Sequence, residues 1–251
     1  MGNIPVGLQL YSVRHDCERD LPAVLDRVAA AGYVGVEFAG YYGREASELR
    51  QMLDDRGLRC CGAHTQLAEV QDERLEATVE FALALGNPYL IVPALPGDWR
   101  DSRDAWLRTA EFFNRLAEKL EPHGLRTGYH NHAVEFKPLE GELPWDIFAK
   151  NTSPRVILQL DTGNCMHGGG DPVEMLRRYP GRAATVHLKE FSTTNDKAVL
   201  GEGDVPWDQV FDLCETTGGT EWYIVEQESY PLEPLVCVEK CIENLRKMGK
   251  A

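Results

Sequence analysis

The sequence predicts an α/β fold, a single-domain (β/α)8 TIM barrel over residues 1–251. Three observations predict it. Short apolar runs alternate with helix-period segments eight times along the chain. The runs have apolar bodies, as parallel strands buried on both faces do, and polar residues recur at their ends. The turn after the first run, YSVRHDCERD, lacks the glycine-rich nucleotide signature of an open doubly wound sheet, the main competitor. Eight right-handed crossovers can instead close on themselves.

In order, the strand-like runs are VGLQLY (6–11), YVGVEF (33–38), RCCGAH (59–64), PYLIVPA (88–94), RTGYHNH (126–132), RVILQLD (155–161), ATVHLK (184–189) and WYIVEQ (222–227). Helical periodicity fills 20–31, 45–56, 72–85, 102–122, 143–149, 171–179, 206–216 and 232–248. Asp20, Ser102 and Asp171-Pro172 are start signals for three of these segments. Gly32, Gly57, Gly86 and Gly124 stand just past apolar faces, where helices stop. HDCERD around His15 and EPHG around His123 read as surface turns. DTGNCMHGGGDP (161–172) reads as a flexible loop running into a helix N-terminus, either an anion dock or a plain turn and cap.

A chain of this length buries its apolar surface in one barrel core without covalent staples. No apolar run reaches about 18 residues, and MGNIPVGLQLYSV lacks the basic start of a signal peptide. The expectation is a cytoplasmic protein with no membrane partner. Seven cysteines form no disulfide framework and read as small buried hydrophobes. Cys237 and Cys241 share one helix face, whereas Cys60 and Cys61 point to opposite faces of a strand. A net charge of -14 repels phosphate backbones, so nucleic acid is excluded as a partner. A small anionic substrate is still admissible, with Lys189 as the local cation.

Residues two apart along a strand share a face. This groups Gly128, His130 and His132; Ile157, Gln159 and Asp161; Thr185, His187 and Lys189; and Ile224, Glu226 and Glu228. If these faces look into the barrel, the polar members converge at its carboxyl-terminal mouth, where barrel enzymes carry their chemistry. Buried ionisable groups are unfavourable unless they pair or hold a cation. The expected cofactor is therefore one divalent metal ion on His130, Asp161, His187 and Glu226. Mn, Zn, Co or Fe suits this nitrogen and oxygen set better than Mg, which prefers an all-oxygen shell.

Other residues are expected around that centre. Glu37 ends an apolar strand, needs a partner and is expected to contact substrate. His64 and His132 either contact substrate or support the ligands. Asn164 is expected on a substrate hydroxyl, and His167, within reach of the mouth, and Glu228, beside Glu226, are expected to bind substrate as well. Tyr11, Trp207 and Trp222 read as core or pocket wall. The aromatics of FAGYYG either cap the pocket or pack on a second copy, so a homo-oligomer is an open expectation.

Taken together, QLYSVR, GVEFAGYYG, YHNHAVEF, LDTGN, HLKE and GEGDVPW leading to VEQE resemble the xylose isomerase-like barrel superfamily, the sugar phosphate isomerase/epimerase group. The resemblance covers nearly the whole chain, and it rests on the order and spacing of the motifs. It implies one divalent metal at the mouth, with ligands falling on His130, Asp161, His187 and Glu226. Many epimerases of the group carry a glutamate where this chain has His130, and pair it with the eighth-strand glutamate. That pair is not intact here. An apurinic endonuclease of the same fold would want more histidines and a basic face.

The function expected is a metal-dependent sugar isomerase or epimerase, moving a proton next to a carbonyl of a sugar or polyol substrate through a metal-stabilised enediolate. Glu226, His130 or His132 would take the proton, and Lys189 would hold an oxygen or polarise the carbonyl. The alternative is a metal-dependent lyase or dehydratase acting on a keto-polyol or oxidised sugar. A barrel that binds sugar without turning it over is a third possibility.

Overall fold

Eight short strands pair in chain order, each parallel to the next, and the last closes on the first. They are β1 (Val6–Gln9), β2 (Gly35–Phe38), β3 (Arg59–His64), β4 (Tyr89–Val92), β5 (Arg126–His130), β6 (Ile157–Asp161), β7 (Thr185–Leu188) and β8 (Trp222–Val225). The computed structural model describes residues 4–251, so Met1 to Asn3 of the expected domain lie outside it. Closure is set by Val6, Gly7 and Leu8 facing Tyr223, Ile224 and Val225. Every expected strand is present, shortened by up to a few residues because the outer ones leave the ladder.

Nine helices surround the barrel among the described residues: α1 (Arg14–Ala31), α2 (Ala46–Asp54), α3 (Asp72–Leu85), α4 (Arg103–Leu120), α5 (Pro144–Asn151), α6 (Thr162–His167), α7 (Pro172–Arg178), α8 (Trp207–Thr216) and α9 (Pro234–Lys247). Outward strand residues such as Leu8, Val36, Leu90, Tyr129, Leu158, Val186 and Tyr223 pack against their apolar stripes, including Leu25 of α1, Phe113 of α4 and Ile242 of α9. Each fully buried side chain of this kind contributes about 1.5–3 kcal/mol. The helix caps agree with the sequence signals. Ser102 Oγ accepts from Ala105 N at 3.2 Å, and Gly32 ends α1 at φ 100°, a conformation that favours glycine.

Two expectations fail. HDCERD is not a turn: it forms the opening turns of α1, which then kinks at Asp20 (φ -157°, ψ 82°). Asp20 still caps the second, longer part of the helix, accepting from Ala23 N at 3.1 Å. DTGNCMHGGGDP is likewise more ordered than a flexible loop, because Asp161 Oδ1 accepts from Asn164 N at 2.6 Å and nucleates α6. The start of α7 is a plain cap. Asp171 Oδ1 takes the amides of Val173 and Glu174, which fills the place expected for an outside anion.

The seven cysteines are free and buried. Cys60 packs outward and Cys61 inward, as alternation requires. The described residues contain no helix long and apolar enough to cross a membrane.

Candidate active site

The inward faces are those that alternation gives. Gln159 and Asp161 of β6, His130 of β5, Thr185 and His187 of β7, and Glu226 just past β8 meet at the carboxyl-terminal end, all buried. One ligand atom each from His130, Asp161, His187 and Glu226 lies within 4.8 Å of all the others. A second grouping, His64, His130 and His187, meets the same limit.

Glu37 lies beneath this cluster rather than on the cavity wall. Its Oε2 accepts from Gln9 Nε2 at 2.7 Å and from His187 Nε2 at 2.6 Å, and its Oε1 accepts from Gln159 Nε2 at 2.9 Å. The carboxylate comes so close to β3 that a Cβ on Gly62 would stand 2.7 Å from Glu37 Oε1. His187 is thereby held between two carboxylates, with Nδ1 3.0 Å from Glu226 Oε2. Substrate contact, expected of Glu37, is replaced in this geometry by the orientation of a histidine.

The charges are set by burial and neighbours. Burial opposes charge on His187, but Glu37 and Glu226 outweigh it and push the ring up to about 10. Burial would also raise Glu37 and Glu226, yet their neighbours hold both down: the imidazoles of His64 and His187 lower Glu37, and Lys189 and His187 hold Glu226 well below its ordinary value. Burial pushes Asp161 up to about 7, against the pull of Lys189. Burial and the neighbouring imidazoles keep His130 well below the usual histidine value, and burial lowers His64. Both rings are therefore neutral, the state in which imidazole binds a metal.

Asp161 Oδ2 is buried and finds no hydrogen-bond partner among the described residues. It faces His130 Nε2 and Lys189 Nζ, each 3.9 Å away. A buried carboxylate oxygen without a partner is unfavourable unless something cationic reaches it. Two imidazoles, two carboxylates and this orphaned oxygen fit a divalent cation, and the cluster is a candidate metal site.

A cavity of about 280 Å³ opens above the cluster. Of the expected residues, His64, His130, His132, Asn164, Glu226, Glu228 and Tyr11 line it, and Ala39 and Gly40 of FAGYYG supply part of its rim. Lys189 is bound to Glu228, and its Nζ lies 4.0 Å from Glu226 Oε2, two residues of that wall. His167 does not reach the mouth: it is exposed on α6, and its ring packs on Phe191 at 4.8 Å. Trp222 plugs the far end of the barrel and Trp207 joins the outer core, so neither lines this cavity.

Three polar residues of the structure have no role in the sequence reading. Gln9 and Gln159 serve the network above. Glu190, next to Lys189, is buried and binds the amides of Phe191, Gly201 and Val205 and the indole of Trp207 at 2.6–3.3 Å. It fixes the segment after β7. Its place in HLKE, before a glycine-rich stretch, is the available signal.

A closed parallel barrel with ionisable groups gathered at its carboxyl-terminal mouth is the architecture of a barrel enzyme site. Residues 25–248 match the sequence profile of the xylose isomerase-like TIM barrel, and the chain belongs to that family. It is similar to an inosose dehydratase of Clostridium botulinum, 22% identical over 85% of this chain and 84% of the relative. Its structure is similar to that of a sugar phosphate isomerase/epimerase from Parabacteroides distasonis, with a TM-score of 0.83 and 29% identity over 98% of this chain and 94% of the other. The fold also matches the zinc-bound IOLI protein, with a TM-score of 0.73 and 14% identity over 98% of this chain and 96% of that one.

Proposed function

We propose that this protein is a divalent-metal-dependent lyase that removes water from a keto-polyol. The observation that carries this reading is the asymmetry of the mouth. Glu226 and Lys189, 4.0 Å apart, stand on the β7–β8 side, and the β5 side offers only the imidazoles of His130 and His132. An epimerisation by two facing carboxylates has no second carboxylate there. A dehydration needs a base and a proton donor at adjacent carbons, which Glu226 and Lys189 supply. The inosose dehydratase names among the relatives support the same reading.

His130, Asp161, His187 and Glu226 would hold the metal. Bound there, the metal supplies Lewis-acid stabilisation of charge on the substrate carbonyl oxygen. Glu226 Oε1 accepts the proton α to the carbonyl. Asp161, Glu226 and Glu228 hold Lys189 in its protonated form, as the direction of its pKa shift indicates. Lys189 Nζ gives a proton to the β-hydroxyl, which leaves as water while the α-carbon electron pair becomes the new double bond. Asn164, Glu228 and His64 bind the remaining hydroxyls at the cavity wall.

The test is to load the purified chain with Mn, Co or Zn and incubate it with inososes and other keto-polyols. The conjugated product is followed by ultraviolet absorption and mass. Loss of 18 mass units, roughly one water, marks the lyase. A second reading, sugar isomerisation or epimerisation, is favoured by the Parabacteroides neighbour and by His132 as a second base on the β5 side. It predicts solvent deuterium in a recovered isomer with no water lost. That result would overturn the lyase.

A further inference from the structure

Gln159 is fully buried at the centre of β6, two residues before Asp161. A side-chain amide offers two N–H donors and two acceptor lone pairs, and here all four are used. Nε2 lies 2.9 Å from both Glu37 Oε1 and Thr185 Oγ1. Oε1 lies 3.0 Å from both His64 Nε2 and His130 Nδ1, and His64 Nε2 also stands 3.3 Å from Glu37 Oε2, a second acceptor. Chemistry decides which end is which. The ionised Glu37 only accepts, so the amide NH2 faces it and the amide oxygen faces the two rings.

That oxygen cannot donate, so both ring nitrogens turned towards it carry hydrogen. A neutral imidazole has one N–H. His130 Nε2 and His64 Nδ1 are therefore left as lone pairs. His130 Nε2 is the atom that faces the orphaned Asp161 Oδ2, and His64 borders the cavity.

We infer that Gln159 is a positioning residue that sets the tautomers of both rings at once, presenting His130 Nε2 to the metal and His64 Nδ1 to a substrate hydroxyl. The His130 half rests on the metal site proposed above, and the His64 half does not. The same amide braces Glu37, which orients His187. One side chain therefore aligns the imidazoles of β5 and β7 although it touches neither metal nor substrate.

The experiment is long-range proton–nitrogen NMR of the metal-free protein labelled with ¹⁵N-histidine, at a pH above the histidine range. Signals are assigned by their loss in His64→Asn and His130→Asn. The expected result is hydrogen on Nδ1 of His130 and on Nε2 of His64. Gln159→Met keeps the volume but removes the acceptor. It is expected to give mixed tautomers at His130, a smaller change at His64 because Glu37 Oε2 still faces its Nε2 at 3.3 Å, and about 10–100-fold weaker zinc binding, the range typical of losing a partner behind a ligand. A wild-type His130 with hydrogen on Nε2, or a Gln159→Met protein with unchanged tautomers and zinc affinity, would overturn the inference. The wild-type spectrum needs no variant, so it decides even if Gln159→Met fails to fold. It also needs no turnover, so failure of the lyase reading is told apart from failure of this one.

Discussion

The two ends of the barrel interior share strands but not chemistry. At the amino-terminal end Cys61, Tyr89, Ile91, Ile157, Ala184, Trp222 and Ile224 form a separate apolar cluster. Above it stand Gln9, Glu37, His130, Gln159, Asp161, Thr185 and His187, equally buried and all polar. On β6 the change from Ile157 to Gln159 takes one side-chain repeat, as does that from Ile224 to Glu226. The lower cluster excludes water from beneath, so each charge in the upper layer must find its partner inside the protein. The raised titration of Asp161 is a consequence of that floor, whereas that of His187 runs against it and comes from Glu37 and Glu226.

Changes in the upper layer should abolish function and leave the fold, and changes in the lower layer should do the reverse. Asp161→Asn and His187→Ala are expected to lose the bound metal, a larger effect than the about 10–100-fold penalty of removing an outer partner. Elemental analysis of dialysed protein checks this. Lys189→Met is expected to keep its metal while kcat falls about 10²–10⁴-fold, the usual contribution of a proton donor. Steady-state kinetics beside metal content separates the two. In the lower layer Ile91→Ala should cost about 2–5 kcal/mol by chemical denaturation, with metal per folded chain unchanged.

The smallest effect is on pH dependence. The folded value of His187, about 10, lies above its ordinary 6.5. Its stabilisation is therefore complete below about 6.5 and is lost as pH rises through about 10. Metal-free protein should show a Tm that declines from neutral to alkaline pH. Metal binding must displace that proton, so affinity should climb across the same window. Calorimetry in buffers of different ionisation enthalpy would count the protons released. A flat Tm would remove His187 from this account.

Much of the contrast between the two layers is legible in the chain. Period-two alternation places His130, Asp161, His187 and Glu226 on inward faces, and polar residues closing apolar strands mark the mouth. The illegible part depends on residues far apart in sequence. A glutamine inside ILQLD is one more polar strand residue until His64, His130, Glu37 and Thr185 are seen around it, 26 to 122 positions away. The sequence puts Glu37 in the site, but its position behind His187 depends on the approach of β3 at Gly62. The opening turns of α1 and the whole of α6 escape a sequence reading for another reason. HDCERD and TGNCMH carry little apolar periodicity, and the helix there is fixed by packing and by the Asp161 cap.

Glu190 carries a consequence of a different kind. Among the described residues, three backbone amides and one indole reach its carboxylate, and no cation does. Both ends of the segment from Phe191 to Trp207 are thus tied to a single point, while residues 193–197 project into solvent. Lengthening or replacing residues 194–197, beyond the Thr193–Asp204 contact, should leave the tie intact and the neighbouring Lys189 where it is. The segment can therefore diverge, or accept a grafted sequence, without retuning the chemistry beside it.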